Sequence, residues 1–157
     1  MSKKPVLLCS ACLLGEPCRY DGKSVPSKEV LALAPYAEFI PICPERDGGM
    51  NTPRLPSERC GERVINTAGE DNTTYFQKGA ELAEQTGEAH GCRIAILKEK
   101  SPSCGTHFIY DGTFSRTLKE GEGICAERLR KAGFVLFCET ELAKGLPQAL
   151  KEYLKLS

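Results

Sequence analysis

The sequence predicts an α/β fold: one mostly parallel sheet with helices on both faces, Rossmann-like in layout but without a dinucleotide motif. Three observations predict it. Short apolar runs alternate with segments of helical periodicity from one end of the chain to the other. The runs Val6-Leu7-Leu8-Cys9, Phe39-Ile40-Pro41-Ile42 and Ile94-Ala95-Ile96-Leu97 are short and apolar, the pattern of strands buried in a sheet interior. Segments rich in Pro, Gly, Ser and charge follow all three runs, as expected for loops at the carboxyl edge of a parallel sheet, where such folds bind ligands. The 157 residues read as one domain, 1–157.

Residues 5–9 form the first expected strand, followed by a loop with turn residues at Gly15, Pro17 and Asp21-Gly22. Ser27 is placed to cap a helix over Lys28–Leu33, and Pro35 stops it. Residues 37–42 are the second strand, and Pro41 makes it short or puts it near an edge. The stretch from Cys43 to about Arg59 is too long for an idle connection and is expected to carry function. Residues 62–66 are a minor strand, and Asp71 to about Glu88 is the longest helix, with Phe76, Ala80, Leu82 and Ala83 on its apolar stripe. Residues 92–98 are the third strand and 98–113 a second long loop. Gly121–Ala132 is a helix ended by Gly133, and residues 134–137 are the fourth strand. Glu141–Leu154 reads as a closing helix, with a start or a kink at Pro147.

Composition narrows the function. Lys plus Arg and Asp plus Glu both number 21, so there is no basic excess for general nucleic-acid binding. No apolar stretch is long enough to span a bilayer. Two lysines precede Pro5–Leu8, but that segment is too short for a signal peptide and Gly15-Glu16-Pro17 follows at once. A cytoplasmic location is expected. Nine cysteines in that compartment point to metal or redox chemistry, and an odd number cannot pair completely.

If the three runs are neighbouring parallel strands, Cys12, Cys43 and Cys104 all lie just past strand ends and face a common edge. Three soft thiolates with a fourth position open describe an iron–sulfur or other thiolate-bound metal site. Cys9 of Cys9-Ser10-Ala11-Cys12 belongs to the strand and reads as core. Cys18, in the same loop as Cys12, competes with it as a ligand. Cys43 precedes Pro44, which restricts its backbone to an extended form. Glu45 lies two residues on; it aims into the cleft or is a solvated carboxylate. Lys100-Ser101-Pro102-Ser103-Cys104-Gly105 forms a tight turn able to present backbone N–H groups. It lacks Walker spacing, and no GxGxxG is present. Cys92, Cys125 and Cys138 read as packing, Cys60 as less certain, and His90 and His107 as too few for a histidine metal site, with His107 near enough to the third loop to serve as a proton donor. Arg19 and Lys100 are candidates for a substrate phosphate.

The strings SACLLGEPCRYDG (Ser10–Gly22), PICPERDGGMNTPRLPSE (Pro41–Glu58), KSPSCG (Lys100–Gly105) and IYDGTFSRTLKEGEGICAERLRKAGF (Ile109–Phe134) cover most of the chain in order. They resemble the family known as domain of unknown function 523, represented by thiouracil desulfidases. The resemblance implies a [4Fe–4S] cluster held by Cys12, Cys43 and Cys104 alone. It implies sulfur removal from thiolated uracil bases, nucleosides or monophosphates by Lewis-acid activation of C=S at the iron that no side chain holds. Glu45 and Ser101 take the family's catalytic carboxylate and hydroxyl. Two readings from other classes stand beside it: a cluster-binding or sulfur-carrier protein without turnover, and a structural zinc domain.

Overall fold

The computed structural model describes residues 4–156. Its centre is a four-stranded, all-parallel sheet in the order β2-β1-β5-β8, built from β1 (Val6–Ser10), β2 (Glu38–Ile42), β5 (Ile94–Leu97) and β8 (Val135–Cys138). The chain first runs outward from β1 to β2, then returns to the other side of β1 for β5 and β8. The order therefore reverses at β1, and the crevice between β1 and β5 is the switch point of the sheet. Pro41 sits in β2, an edge strand of this sheet, where a missing N–H costs no ladder bond on the open side.

Strand alternation sorts the core into two layers. Leu7, Cys9, Ile94 and Ile96 face one side, under α1 (Lys28–Leu31), α5 (Glu139–Ala143) and α6 (Gln148–Leu154), which bring Val30, Leu142, Leu150 and Leu154. Leu8, Ala95 and Leu97 face the other, under α3 (Thr73–Ala89) and α4 (Ile124–Lys131), which bring Ala80, Ala83, Ala126 and Leu129. Helices thus cover both faces. Among the described residues no helix is long and apolar enough to cross a membrane.

Several elements differ from the sequence expectation, each for a local reason. The first helix is one turn, capped by the Ser27 hydroxyl accepting the Val30 N–H at 3.2 Å. The helix expected over 121–132 begins only at Ile124, because Gly123 is extended (φ −70, ψ 163). The closing helix is two helices, with Pro147 as the N-cap of α6. The long loop after Cys43 contains a one-turn helix α2 (Pro44–Asp47) and runs into β3 (Ser57–Cys60), which pairs antiparallel with β4 (Arg63–Asn66). The loop after β5 runs into β6 (Phe108–Tyr110), paired antiparallel with β7 (Leu118–Glu120). β3, β4 and β7 carry at most two consecutive apolar residues and β6 is only three residues long, so none shows the apolar run by which the sheet strands were read; β4 is the minor strand expected over 62–66.

Candidate metal centre

Cys12 follows β1 in a 3-10 turn, Ala11–Leu14, that Gly15 closes with a left-handed backbone (φ 103). Cys43 follows β2 as the extended N-cap residue of α2 (φ −136), with Pro44 at the first helical position. Its N–H donates to the Asp47 carboxylate at 3.0 Å. Cys104 follows β5 in the Lys100–Gly105 loop. All three are buried.

The three thiols sense one another. Burial pushes Cys12 up to about 11, with Lys98 opposing and Cys43 adding to the rise. Burial pushes Cys104 up to about 12, against hydrogen bonds from Ser10 and Ser103, and charge on Cys12 and Cys43 raises it further. Cys43 goes the other way, down to about 7, chiefly because the Cys18 thiol hydrogen-bonds to it. Cys18 is raised in return, first by that bond and then by burial. Like-charge influence of this kind requires close approach. Cys18 is therefore a buried companion of Cys43, whose thiol in turn contacts the Cys18 carbonyl at 3.6 Å.

The trio is close but does not pinch together as a single-ion site would. Among the described residues, the Cys, His, Asp and Glu donors that meet within 4.8 Å are Glu99, His107 and Cys138. A tetrahedral zinc with bonds of about 2.3 Å brings its sulfurs about 3.8 Å apart. Cys12, Cys43 and Cys104 do not all lie within 4.8 Å of one another, and three soft thiol sulfurs on separate loops suit an iron–sulfur cluster. The Glu99 group is a loop clamp. Both Glu99 oxygens already accept bonds: Thr106 N–H at 2.7 Å, Lys100 N–H at 3.2 Å, His107 N–H at 3.2 Å and Thr106 Oγ1 at 3.3 Å. His107 Nδ1 lies 3.2 Å from the same carboxylate. His107 thus serves the clamp.

Glu45 is held from two sides. Its Oε1 accepts from Arg54 Nε at 3.1 Å, in an ion pair whose side chains are 7% and 15% exposed. Its Oε2 accepts from the Ser103 hydroxyl at 2.9 Å. Ser103 Oγ is in turn 2.8 Å from Ser101 Oγ. Glu45 and Ser101 are thus joined through one serine, and Ser103 also approaches Cys104 Sγ at 3.6 Å. Arg54 further donates to the Cys18 carbonyl at 2.9 Å, tying the loop of Cys12 and Cys18 to that of Cys43. Sequence reasoning missed Arg54 and Ser103. Both lie in segments already singled out, but nothing along the chain marks which arginine or serine turns inward.

Close packing fixes these loops. A side chain at Gly79 of α3 would overlap the Pro44 carbonyl, and one at Gly48 would overlap the Tyr75 carbonyl. Glycines there let α2 sit directly on α3 and set where Glu45 points. On the other side, the first N–H groups of α4 serve the Cys104 loop: Ile124 to Pro102 O at 2.9 Å, Cys125 to Ser103 O at 2.9 Å and Ala126 to Ser103 O at 3.1 Å. Lys100 is left-handed (φ 71), part of the sharp turn that aims Ser101 back at its own loop.

Of the remaining sequence candidates, Lys100 belongs to the Cys104 loop and the charge on Arg19 lowers Cys12, while the other cysteines pack or lie at the surface. Cys9, Cys92, Cys125 and Cys138 are buried and Cys60 is exposed. Arg19 pairs with Asp21 at 3.5 Å and lies over the Tyr20 ring, and Lys100 is exposed.

The sequence profile of the 2-thiouracil desulfurase family matches residues 7–141. The chain belongs to the 2-thiouracil desulfurase family. Its fold matches that of the [4Fe-4S]-dependent thiouracil desulfidase TudS with a TM-score of 0.85 and 44% identity, over 97% of this chain and 99% of that one. An uncharacterized protein of Bacillus subtilis (strain 168), YbbK, is 36% identical over 147 residues, 87% of this chain and 97% of that protein. For a desulfurase of this family, the donor set here is chemically apt. It offers three soft sulfurs on three separate loops, with a carboxylate and two hydroxyls beside them and no side chain assigned to a fourth position.

Proposed function

We propose that this chain removes sulfur from thiouracil-type bases, nucleosides or nucleotides, with Cys12, Cys43 and Cys104 holding its [4Fe–4S] cluster. When bound, the cluster supplies a Lewis-acidic iron that no side chain occupies and that accepts soft sulfur. Glu45 is the general base that takes up the proton released as water adds to the thiocarbonyl carbon. Ser101 handles protons between the substrate side and that carboxylate. Sulfur leaves as hydrosulfide and the base becomes an oxo-pyrimidine, with no net electron transfer.

The observation that carries this reading is the position of Glu45: its carboxylate is bonded through Ser103 to the loop of Cys104, two residues after Cys43 on its own loop. A carrier without turnover has no use for a half-buried, ion-paired carboxylate at that point. Residues 1–157 act as one unit in this reading, because α6 near the end of the chain packs on the same core as β1. Nine free thiols suit a reducing compartment, and we place the protein in the cytoplasm. Its substrate is a small thiopyrimidine, with no role for a membrane or for general nucleic-acid binding. Anaerobic reconstitution followed by a sulfide-release assay over a panel of thiopyrimidines tests the proposal. Wild type should release sulfide, Cys43→Ala should lose iron and turnover together, and Glu45→Ala should keep iron and lose turnover at least about 100-fold. A fully loaded wild type inert to the whole panel overturns it, and normal turnover by Glu45→Ala removes that residue's role.

A further inference from the structure

We infer that Ser103 is a positioning residue that joins Ser101 to Glu45 as one directed proton path, running from the Ser101 hydroxyl to the carboxylate. The inference rests on the desulfidase reading above and specifies how protons reach the base. Its direction follows from counting hydrogens. Ser101 Oγ accepts the backbone N–H groups of Ser103 and Cys104, each at 3.1 Å. A serine hydroxyl has two lone pairs and one hydrogen. With both lone pairs engaged, the Ser101 hydrogen lies along the remaining 2.8 Å contact, toward Ser103 Oγ. Ser103 is the acceptor there, which leaves its own hydrogen for Glu45 Oε2 at 2.9 Å. Cys104 Sγ at 3.6 Å is the weaker claimant, because a bond to a carboxylate is shorter and stronger.

The path is closed to substitutes. Ser103 is 2% exposed, so water does not replace its hydroxyl. Arg54 holds the other Glu45 oxygen and keeps the carboxylate from turning away. The Ser103 carbonyl is pinned by two N–H groups of α4, and Gly123 lies so near the Ser103 backbone that a side chain there would overlap it.

In operation, water adds to the thiocarbonyl carbon and one of its O–H bonds breaks. That proton goes to Ser101 Oγ, displacing one of the two backbone N–H groups. The original Ser101 proton passes to Ser103, and the Ser103 proton passes to Glu45. Each serine gains one proton and loses one, Glu45 ends protonated, and the electrons of the broken O–H bond remain on the oxygen that joins carbon. Nothing is oxidised or reduced.

The test compares Ser103→Ala and Ser103→Thr with wild type. For Ser103→Ala we expect kcat to fall about 100-fold, KM to stay within about twofold and iron per chain to be unchanged. Ser103→Thr, which keeps the hydroxyl, should recover most of the loss. Solvent-isotope proton inventories should bow for wild type and become linear for Ser103→Ala. Infrared difference spectra of cluster-free protein give a readout independent of turnover. The carboxylate band that Glu45→Gln abolishes should shift in Ser103→Ala and return in Ser103→Thr. Wild-type turnover by Ser103→Ala overturns the path, as does an unmoved Glu45 band. Loss of iron in Ser103→Ala that Ser103→Thr does not restore also overturns it, by making Ser103 a packing residue. A loaded wild type that releases no sulfide sinks the desulfidase reading instead, and the infrared band still decides the link.

Discussion

Arg54 carries a charge into a place with little solvent, and Glu45 balances it. Its three guanidinium nitrogens bond to Glu45, the Cys18 carbonyl, the Asn51 carbonyl and Thr52 Oγ1. Removing one member of a buried ion pair leaves the other uncompensated, which costs about 3–5 kcal/mol. Arg54→Ala is therefore expected to be destabilised by roughly 3 kcal/mol in urea unfolding. Arg54→Lys keeps the charge but loses the fork, and should recover only part of it. At this scale the sequence was unevenly legible. Cys12, Cys43 and Cys104 could be picked out because each follows an apolar run, and the structure sets them close enough to perturb one another. Arg54 and Ser103 could not, since their importance is a contact between loops that are far apart in the chain. Cys18 read as a rival to Cys12, whereas its carbonyl takes the Cys43 thiol at 3.6 Å.

Elements rather than residues decide where Glu45 and Ser101 stand. The seat of α2 on α3 depends on Gly48 and Gly79 having no side chains. Gly79→Ala forces the Pro44 carbonyl to move, an overpacking cost of about 1–3 kcal/mol, and shifts Glu45 with it. Resistance to urea unfolding and turnover of the iron-loaded variant should both fall, with iron content near normal. The Cys104 loop has a different fastening. Burial alone would raise Glu99, but N–H groups of His107, Thr106 and Lys100 outweigh it and hold the carboxyl below its usual value. A lowered carboxyl stabilises the fold fully above its unfolded pKa, about 4.3, and the benefit disappears as pH falls through the lower folded value. Below about pH 4 the loop should loosen before the sheet melts, and amide exchange at residues 100–107 should show it. Glu99→Gln should remove that acid step. Strands and long helices were legible from the sequence pattern, β4 among them as the minor strand over 62–66, whereas α2, β3, β6 and β7 were not. One turn of helix is too short to establish a period, and β3 and β7 lack the continuous apolar run that marked the four-residue strands β5 and β8.

The whole molecule is a sheet with a switch point, and three of its four strands deliver one cysteine each to the same edge. The sequence marked each cysteine as lying just past an apolar run, and the structure supplies the strand order β2-β1-β5 that makes those runs neighbours. The buried thiols also set how the cluster-free protein answers alkali. Cys12 and Cys104 are raised from 9.0 to about 11 and about 12, so the folded state resists ionising them. This contribution is fully present below pH 9.0 and is lost as pH rises through those folded values. Thermal unfolding of cluster-free protein should therefore weaken above about pH 9, and the loss should ease in a Cys12→Ser, Cys104→Ser double variant.

The neighbouring sulfurs of residues 18 and 43 have a practical consequence for anyone handling the protein in air. The Cys43 thiol lies 3.6 Å from the carbonyl of Cys18, two thiols this near can join as a disulfide, and dioxygen can accept the two electrons and two protons they would give up. A preparation left on the bench would then arrive at iron loading with one of its three grips already locked. A dithiol reductant added beforehand should release it, and Cys18→Ser protein should load without that step.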